Sequence, residues 1–328
     1  MQQVSRVFKI LALSAVAILH CSLAPLTSAQ ESSLNAIADH SHDPITVRSK
    51  PVIERLPVKV VRPVDLAVTS KNQILIADSG ADCIFQLEED GTVSLRAENL
   101  RDIKRICVDS DDSVYVLTST TGEARIHQVT PDGKLAVLHV LNAPATCFAR
   151  LADGTFAVAG SDLYLTKFDE PPTRIEKLNQ PAVDMTKHIS GGAELLFGSG
   201  VVMSLSSSGE LVQRGMVPAG SSRLISLPTG RLAGLVGDSA LKTDAGQKSG
   251  LFAIQTTEDA GTESRPVAHV PQGTLAVGFD RLGNLALANP DLRAITKVTA
   301  HFEVPCPHCG KPTRLNLVPA AAGETTSF

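Results

Sequence analysis

The sequence predicts an all-β fold, on three observations. A turn signal recurs along the chain at near-constant spacing. Each unit between signals holds about four short apolar runs, and no segment carries convincing helical periodicity. Several runs are apolar without a break, as in Ile74-Leu75-Ile76-Ala77. A strand with no polar face must be covered on both sides.

The turn signal precedes an apolar run at Asn72, Asp112, Gly154, Gly192, Gly230 and Gly283, in steps of 40, 42, 38, 38 and 53 residues. A second signal, a Gly turn between two strands, falls at Gly91, Gly133 and Gly209, at intervals of 42 and 76, the latter being two periods of 38. Units of about 40 residues with four strands each mark the blades of a β-propeller. The expected architecture is a six-bladed propeller of four-stranded blades over residues 51–304. Blades lie between two neighbours, so their inner and middle strands are buried on both faces. The outermost strand meets solvent and can be polar, as TVSLRAEN is. The stretched fifth step comes from DSALKTDAGQKSG, which is expected to form a surface loop. The alternating segment Leu56–Pro63 precedes the first unit and is expected to close the ring beside the last blade. Closure removes an edge that would otherwise invite pairing with other chains.

The ends carry different signals. Arg6 and Lys9, without an acid, precede the apolar run Ile10–Leu19, and small residues Thr27 and Ala29 come just before Gln30. This is the layout of a secretory signal peptide over residues 1–29, so the mature chain is expected to be exported, to a periplasm or the cell exterior. The apolar run falls short of the roughly 20 residues a spanning helix needs, and no later segment is long and apolar enough, so no membrane span is expected after cleavage. Residues 30–50 read as a flexible leader and 318–328 as a disordered tail. Without the leader, 28 basic face 34 acidic residues, a net charge of −6, which argues against nucleic-acid binding. Five cysteines remain, an odd number that does not suit a disulfide scaffold. Cys83, Cys107 and Cys147 fall in apolar segments and are expected to be buried thiols.

The first unit, RPVDLAVTSKNQILIADSGADCIFQLEEDGTV, resembles an NHL repeat. The matching residues are Pro63, Leu66 to Val68, Asn72, Ile74 to Asp78 and Ile84, with Cys83 where that repeat has Arg. The second unit keeps Arg125-Ile126, and the sixth keeps Ala288-Asn289 and Ile295. Units three to five match by turn position and apolar pattern alone, so the resemblance covers about Lys59–Phe302. The absence of Trp and the presence of two Tyr argue against WD40 and kelch repeats. The resemblance implies an interaction scaffold. Related lactonase and lyase propellers imply the alternative, a metal-dependent hydrolase or lyase acting at the central channel.

The inner-strand segments hold Asp65 and Asp184, three blades apart, and one histidine, His188. Hard cations want several oxygen ligands and catalytic zinc wants three protein ligands, and this set is short of both. Lys104, Arg105, Arg150, Lys187 and Arg223 could hold an anion at the channel mouth, but are expected at different depths because they share no common place in their units. The channel candidates are therefore Asp65, Arg105, Asp184, His188 and Arg223. With no catalytic set among them, the expected function is a non-enzymatic binding module that recognises a protein or small-molecule partner through its loop faces.

One motif lies beyond the repeats. Residues 305–317 include Cys306, His308 and Cys309 in a Cys-Pro-His-Cys-Gly turn that resembles a zinc knuckle. A zinc ribbon needs a second Cys pair, which the chain lacks. A thioredoxin-like redox site needs a helix at the second Cys, but Gly310 and Pro312 follow. Three states stay open: a zinc site completed by His301 of the same chain or shared between two chains as a homodimer, an internal disulfide, or free thiols.

Overall fold

A computed structural model describes residues 52–188, 190–227, 231–237, 249–256, 266–279 and 283–299. The signal-like segment, the leader, most of the insertion after Gly237, the turn at Gly230, and the Cys306-His308-Cys309 motif with its tail lie outside the described residues. Among the described residues there is no helix, and none long and apolar enough to cross a membrane.

Twenty-five strands are described. The first, β1 (Val52–Arg55), precedes blade 1, which holds β2 (Pro63–Val68), β3 (Ile74–Asp78), β4 (Cys83–Leu87) and β5 (Val93–Ala97). Blade 2 holds β6 (Ile103–Val108), β7 (Val114–Ser119), β8 (Ala124–Val129) and β9 (Leu135–Leu141). Blade 3 holds β10 (Cys147–Arg150), β11 (Phe156–Ala159), β12 (Asp162–Thr166) and β13 (Thr173–Lys177). Blade 4 holds β14 (Ala182–Lys187), β15 (Ala193–Phe197), β16 (Val201–Leu205) and β17 (Leu211–Met216). Blade 5 holds β18 (Arg223–Ser226), β19 (Leu232–Val236) and β20 (Gly250–Ala253), then β21 (Gln255–Thr256) leaves it and β22 (Pro266–His269) completes it. Blade 6 holds β23 (Ala276–Phe279), β24 (Leu285–Asn289) and β25 (Ala294–Thr299), with β1 as its fourth strand. All pairings within the blades are antiparallel, and the innermost strands β2, β6, β10, β14, β18 and β23 touch in sequence around the ring.

The unbroken apolar runs are the second strands of the blades. Strands β3, β7, β11, β15, β19 and β24 are buried at every residue. Each is packed between two blades, and each fully buried Leu or Ile contributes about 1.5–3 kcal/mol. Outer strands answer to solvent instead, and β13 is exposed along its whole length. Among the described residues, the turn before a second strand holds a left-handed residue in five blades, which explains the recurring signal. Asn72, Asp112, Gly154 and Gly283 adopt φ of 60°, 62°, 85° and 78°. In blade 4 the left-handed residue is Gly191, one before the position the sequence signal marked. Gly192 has its own constraint, since a Cβ there would come within 2.2 Å of the Leu205 carbonyl oxygen.

An N-terminal strand closes the ring beside the last blade, as expected, but it lies earlier in the chain than expected. The closing strand is β1, with Val52 opposite Thr299 and Arg55 opposite Thr296, and not Leu56–Val61. Pro57 cannot donate to a ladder, so pairing stops just after Leu56, whose N–H reaches the Ile295 carbonyl at 2.9 Å. The alternation in Leu56, Val58 and Val60 records burial without pairing. Those side chains fill the seam between blades 6 and 1 with Ile76, Leu87, Ala286 and Ile295. Asp78 then anchors the incoming chain. Its buried carboxylate accepts N–H bonds from Val61 (2.6 Å), Arg62 (2.8 Å), Gly80 (2.9 Å) and Ala81 (3.2 Å).

A fifth strand was not legible in the sequence. Strand β21 pairs with the outer edge of blade 4 through Gly215 and Met216. A Cβ at Gly215 would lie 2.1 Å from the Gln255 carbonyl oxygen, so glycine permits the approach.

Blade 2 buries two histidines. His127 shares a hydrogen bond with Thr118 Oγ1 (2.9 Å) and His139 with Thr166 Oγ1 (2.8 Å), and each leaves its other ring nitrogen unpartnered. Burial pulls both below the usual histidine value of 6.5, with Arg125 adding to the shift of His127 and Asp169 opposing that of His139. A depressed histidine favours the neutral form in the fold, so the unfolded chain binds more protons below pH 6.5. Stability is expected to fall as pH drops from 6.5 toward the depressed values. Urea titrations at pH 7.5 and 5.5 check this. Replacing both histidines with Gln should flatten the difference, and an unchanged pH dependence would contradict the account.

Candidate functional site

The third position of β2 is Asp65, opposite Ala77 in β3. Five other residues pair with the equivalent fourth residue of their own second strand. Arg105 faces Leu117, Cys147 faces Ala159, Asp184 faces Leu196, Arg223 faces Leu235 and Ala276 faces Ala288. These six residues therefore form one layer around the channel, in the order Asp, Arg, Cys, Asp, Arg, Ala. Asp65 and Asp184 are 119 residues apart, and Arg105 and Arg223 are 118 apart. Blades 1 and 2 thus present the same Asp–Arg pair as blades 4 and 5, half a turn away.

The contacts repeat with the same symmetry. Asp65 Oδ2 accepts the Ile106 N–H of the next blade at 2.9 Å, and Asp184 Oδ2 accepts the Leu224 N–H of its next blade at 2.7 Å. Arg105 donates to the Val183 carbonyl at 2.9 Å, and Arg223 donates to the Val64 carbonyl at 2.7 Å. Each guanidinium thus crosses the channel to the residue before the opposing aspartate. The symmetry breaks at the ion pairs. Arg105 Nε reaches Asp184 Oδ1 at 2.8 Å, whereas Arg223 Nε stands 3.7 Å from Asp65 Oδ1 and has no hydrogen-bond partner.

The electrostatics follow that difference. Burial raises the Asp65 carboxyl above its ordinary value, and Arg223, Arg105 and the Ile106 N–H offset only part of the rise. Burial lowers the Arg223 guanidinium, with Arg105 adding to the effect. Burial also acts against Arg105, but Asp184 and Asp65 outweigh it and hold that guanidinium firmly charged.

Arg105 and Arg223 thus lie at one depth with the two aspartates, contrary to the expectation from the sequence. Arg150 and Lys187 lie on a second level, at the ends of β10 and β14. There they grip Asp109, with Arg150 Nη1 on Oδ2 and Lys187 Nζ 3.1 Å from Oδ1. The Arg150 guanidinium also lies over the Tyr115 ring at 5.1 Å. Burial pushes the Asp109 carboxyl up, but the Ser110 N–H, Lys187 and Arg150 bring it below its ordinary value. Between the two charged layers lies a cavity of about 370 Å³. Cys107 lines it, and burial together with Asp109 pushes its thiol up to about 12, so it is no ready nucleophile.

His188 is not in the ring. It follows β14 at the turn into β15, where Nδ1 accepts from Ser190 Oγ (2.5 Å) and Ser190 N–H (3.2 Å). Its Nε2 lies 3.6 Å from the buried Glu194, which Ser204 and Arg214 also hold, and the group borders a separate cavity of about 390 Å³. Among the described residues no cluster of three His, Cys, Asp or Glu is placed to hold a metal. A calcium ion would need six to eight oxygens. The ring supplies two carboxylates whose oxygens already face N–H donors or guanidinium groups. The channel donor set does not fit a metal.

No protein-family model and no curated protein sequence matches the chain. Solved structures are similar in fold. A streptogramin B lyase superposes with a TM-score of 0.58 at 11% identity, over 76% of this chain and 97% of that one. A gluconolactonase from Xanthomonas campestris gives 0.58 at 12% identity, over 76% and 89%. The WD40 propeller domain of Doa1 gives 0.51 at 10% identity, over 76% and 97%. At these identities the likeness establishes the propeller and nothing finer.

Proposed function

We propose that the chain is an exported, non-enzymatic binding module that recognises a partner through its loop faces. The observation that supports this reading is the mutual neutralisation of the channel layer. Two aspartates and two arginines cancel in charge, and all four bond to one another or to the neighbouring backbone, with Arg223 Nε alone left without a hydrogen bond. A channel used for metal-assisted hydrolysis needs carboxylates free to ligate.

The loop face where the inner strands begin offers a surface. Val61, just before β2, and Leu292, in the turn between β24 and β25, are both exposed there beside the closing seam. A partner that covers Val61 and Leu292 removes their apolar surface from water, which favours binding. Partners captured from an exported fraction by the mature chain are expected to bind at least about tenfold more weakly to Val61→Asp/Leu292→Asp. Capture unchanged by that double substitution would remove the loop face from the account.

The second reading is a metal-dependent hydrolase or lyase, and it is favoured by the fold likeness to the lyase and the gluconolactonase. It requires the ring to open and a metal to displace Arg105 or Arg223. Metal-dependent turnover of a lactone, lost in Asp65→Asn, would establish it. The Cys306-Cys309 motif enters either reading only as a separate structural or dimerising element, for which zinc content of anaerobically purified protein is the test.

A further inference from the structure

We propose that the cavity below the ring is a binding site for a small organic carboxylate with an apolar body, which enters from the face where the inner strands end. The site stands apart from the loop-face reading and does not depend on it.

Access is set by the two charged layers. At the ring, the Arg105 and Asp184 side chains are only 13% and 5% exposed, and their bonds cross the channel. That end is shut. At the opposite end the Lys187 side chain is 44% exposed. Ser226, the last residue of β18, is exposed as well. The cavity of about 370 Å³ therefore opens on the strand-end face, and its size falls within the range of small-molecule sites, about 300–1,000 Å³.

The lining sets the ligand class. The ring contributes no net charge. The open end holds one aspartate against Arg150 and Lys187, so the cavity carries one positive charge in excess. Those cations have donors to spare. Arg150 uses a single nitrogen, Nη1, on Asp109, and Lys187 makes one of the three bonds an ammonium can make. Between the ends the walls are apolar, with Ala67, Ile106, Phe148, Ile225, Val277 and Phe279 among them. A cationic mouth over an apolar waist suits a carboxylate carried on a hydrocarbon or aromatic body. A bare inorganic anion would leave the waist unfilled, and a neutral body would leave the cations as they are.

Calorimetric titration of the full chain with benzoate and hexanoate, beside benzyl alcohol and inorganic phosphate, tests this. At least one of the two carboxylates is expected to bind at one site per chain, with benzyl alcohol and phosphate at least about tenfold weaker. Lys187→Met, on an exposed side chain whose ion pair adds little to stability, is expected to weaken the carboxylate about tenfold and to move the unfolding midpoint little. Arg150→Gln should weaken it as well. Absence of binding by both carboxylates would overturn the proposal, as would equal binding of benzyl alcohol. Unchanged affinity in Lys187→Met and Arg150→Gln would also overturn it, since a loop-face ligand would behave that way.

Discussion

Replacing Asp184 with Ala is expected to destabilise the propeller by about 3–5 kcal/mol, the usual loss when one partner of a buried ion pair is removed. Asp184 is buried and holds Arg105 by a 2.8 Å ion pair while accepting the Leu224 N–H at 2.7 Å. Its loss leaves Arg105 as an uncompensated charge in the channel and strips the Leu224 amide of its acceptor. Asp65→Ala should cost less, because the Asp65–Arg223 pair is looser at 3.7 Å and burial already raises the Asp65 carboxyl. Removing both partners, as Asp184→Ala/Arg105→Met, should recover part of the loss, since no charge is then stranded. Urea unfolding of the four proteins decides the order. Equal losses for Asp184→Ala and Asp65→Ala, with no recovery in the double variant, would show that the ring is not a cross-channel clasp.

Ile76→Asp is expected to yield no folded protein. Ile76 is fully buried at the centre of β3, against Leu66, Leu87, Ala286 and Ile295 of the seam between blades 1 and 6. A carboxylate there would lose hydration with no partner, a penalty of several kcal/mol against a stability of about 5–15 kcal/mol. Leu95→Asp, on the exposed strand β5, should stay within about 0.5 kcal/mol of the unaltered chain. Soluble expression and circular dichroism of the two variants check the contrast. A folded Ile76→Asp chain would mean that this strand is not packed between blades.

Ile76 also shows what the sequence made legible. Its run has no polar face because two blades cover it, and that fact with the turn period is enough for the fold. The closing strand was misplaced because Leu56, Val58 and Val60 alternate as a strand would, while Pro57 prevents the pairing. Strand β21 left no pattern at all, since two residues are too few to carry a period.

Among the site residues, Asp65, Arg105, Asp184 and Arg223 were legible as channel candidates, but their shared layer was not. In blades 1, 2 and 4 the register shifts just before the charged residue, so counting from the strand start misaligns the units. The spacings of 119 and 118 residues were the available signal, because a pair repeated three blades on must face itself across the channel. His188 shared the segment of Asp184 but follows the end of the strand, and so it joins Glu194 instead.

Calcium titration of the mature chain by calorimetry, with lactone turnover followed in the same samples, tests the central claim most directly. The self-neutralised ring predicts no stoichiometric calcium site and no metal-dependent turnover, in the unaltered chain and in folded Asp65→Asn and Asp184→Asn variants alike. One calcium bound per chain, with lactone turnover that follows its occupancy and disappears in those variants, would contradict it.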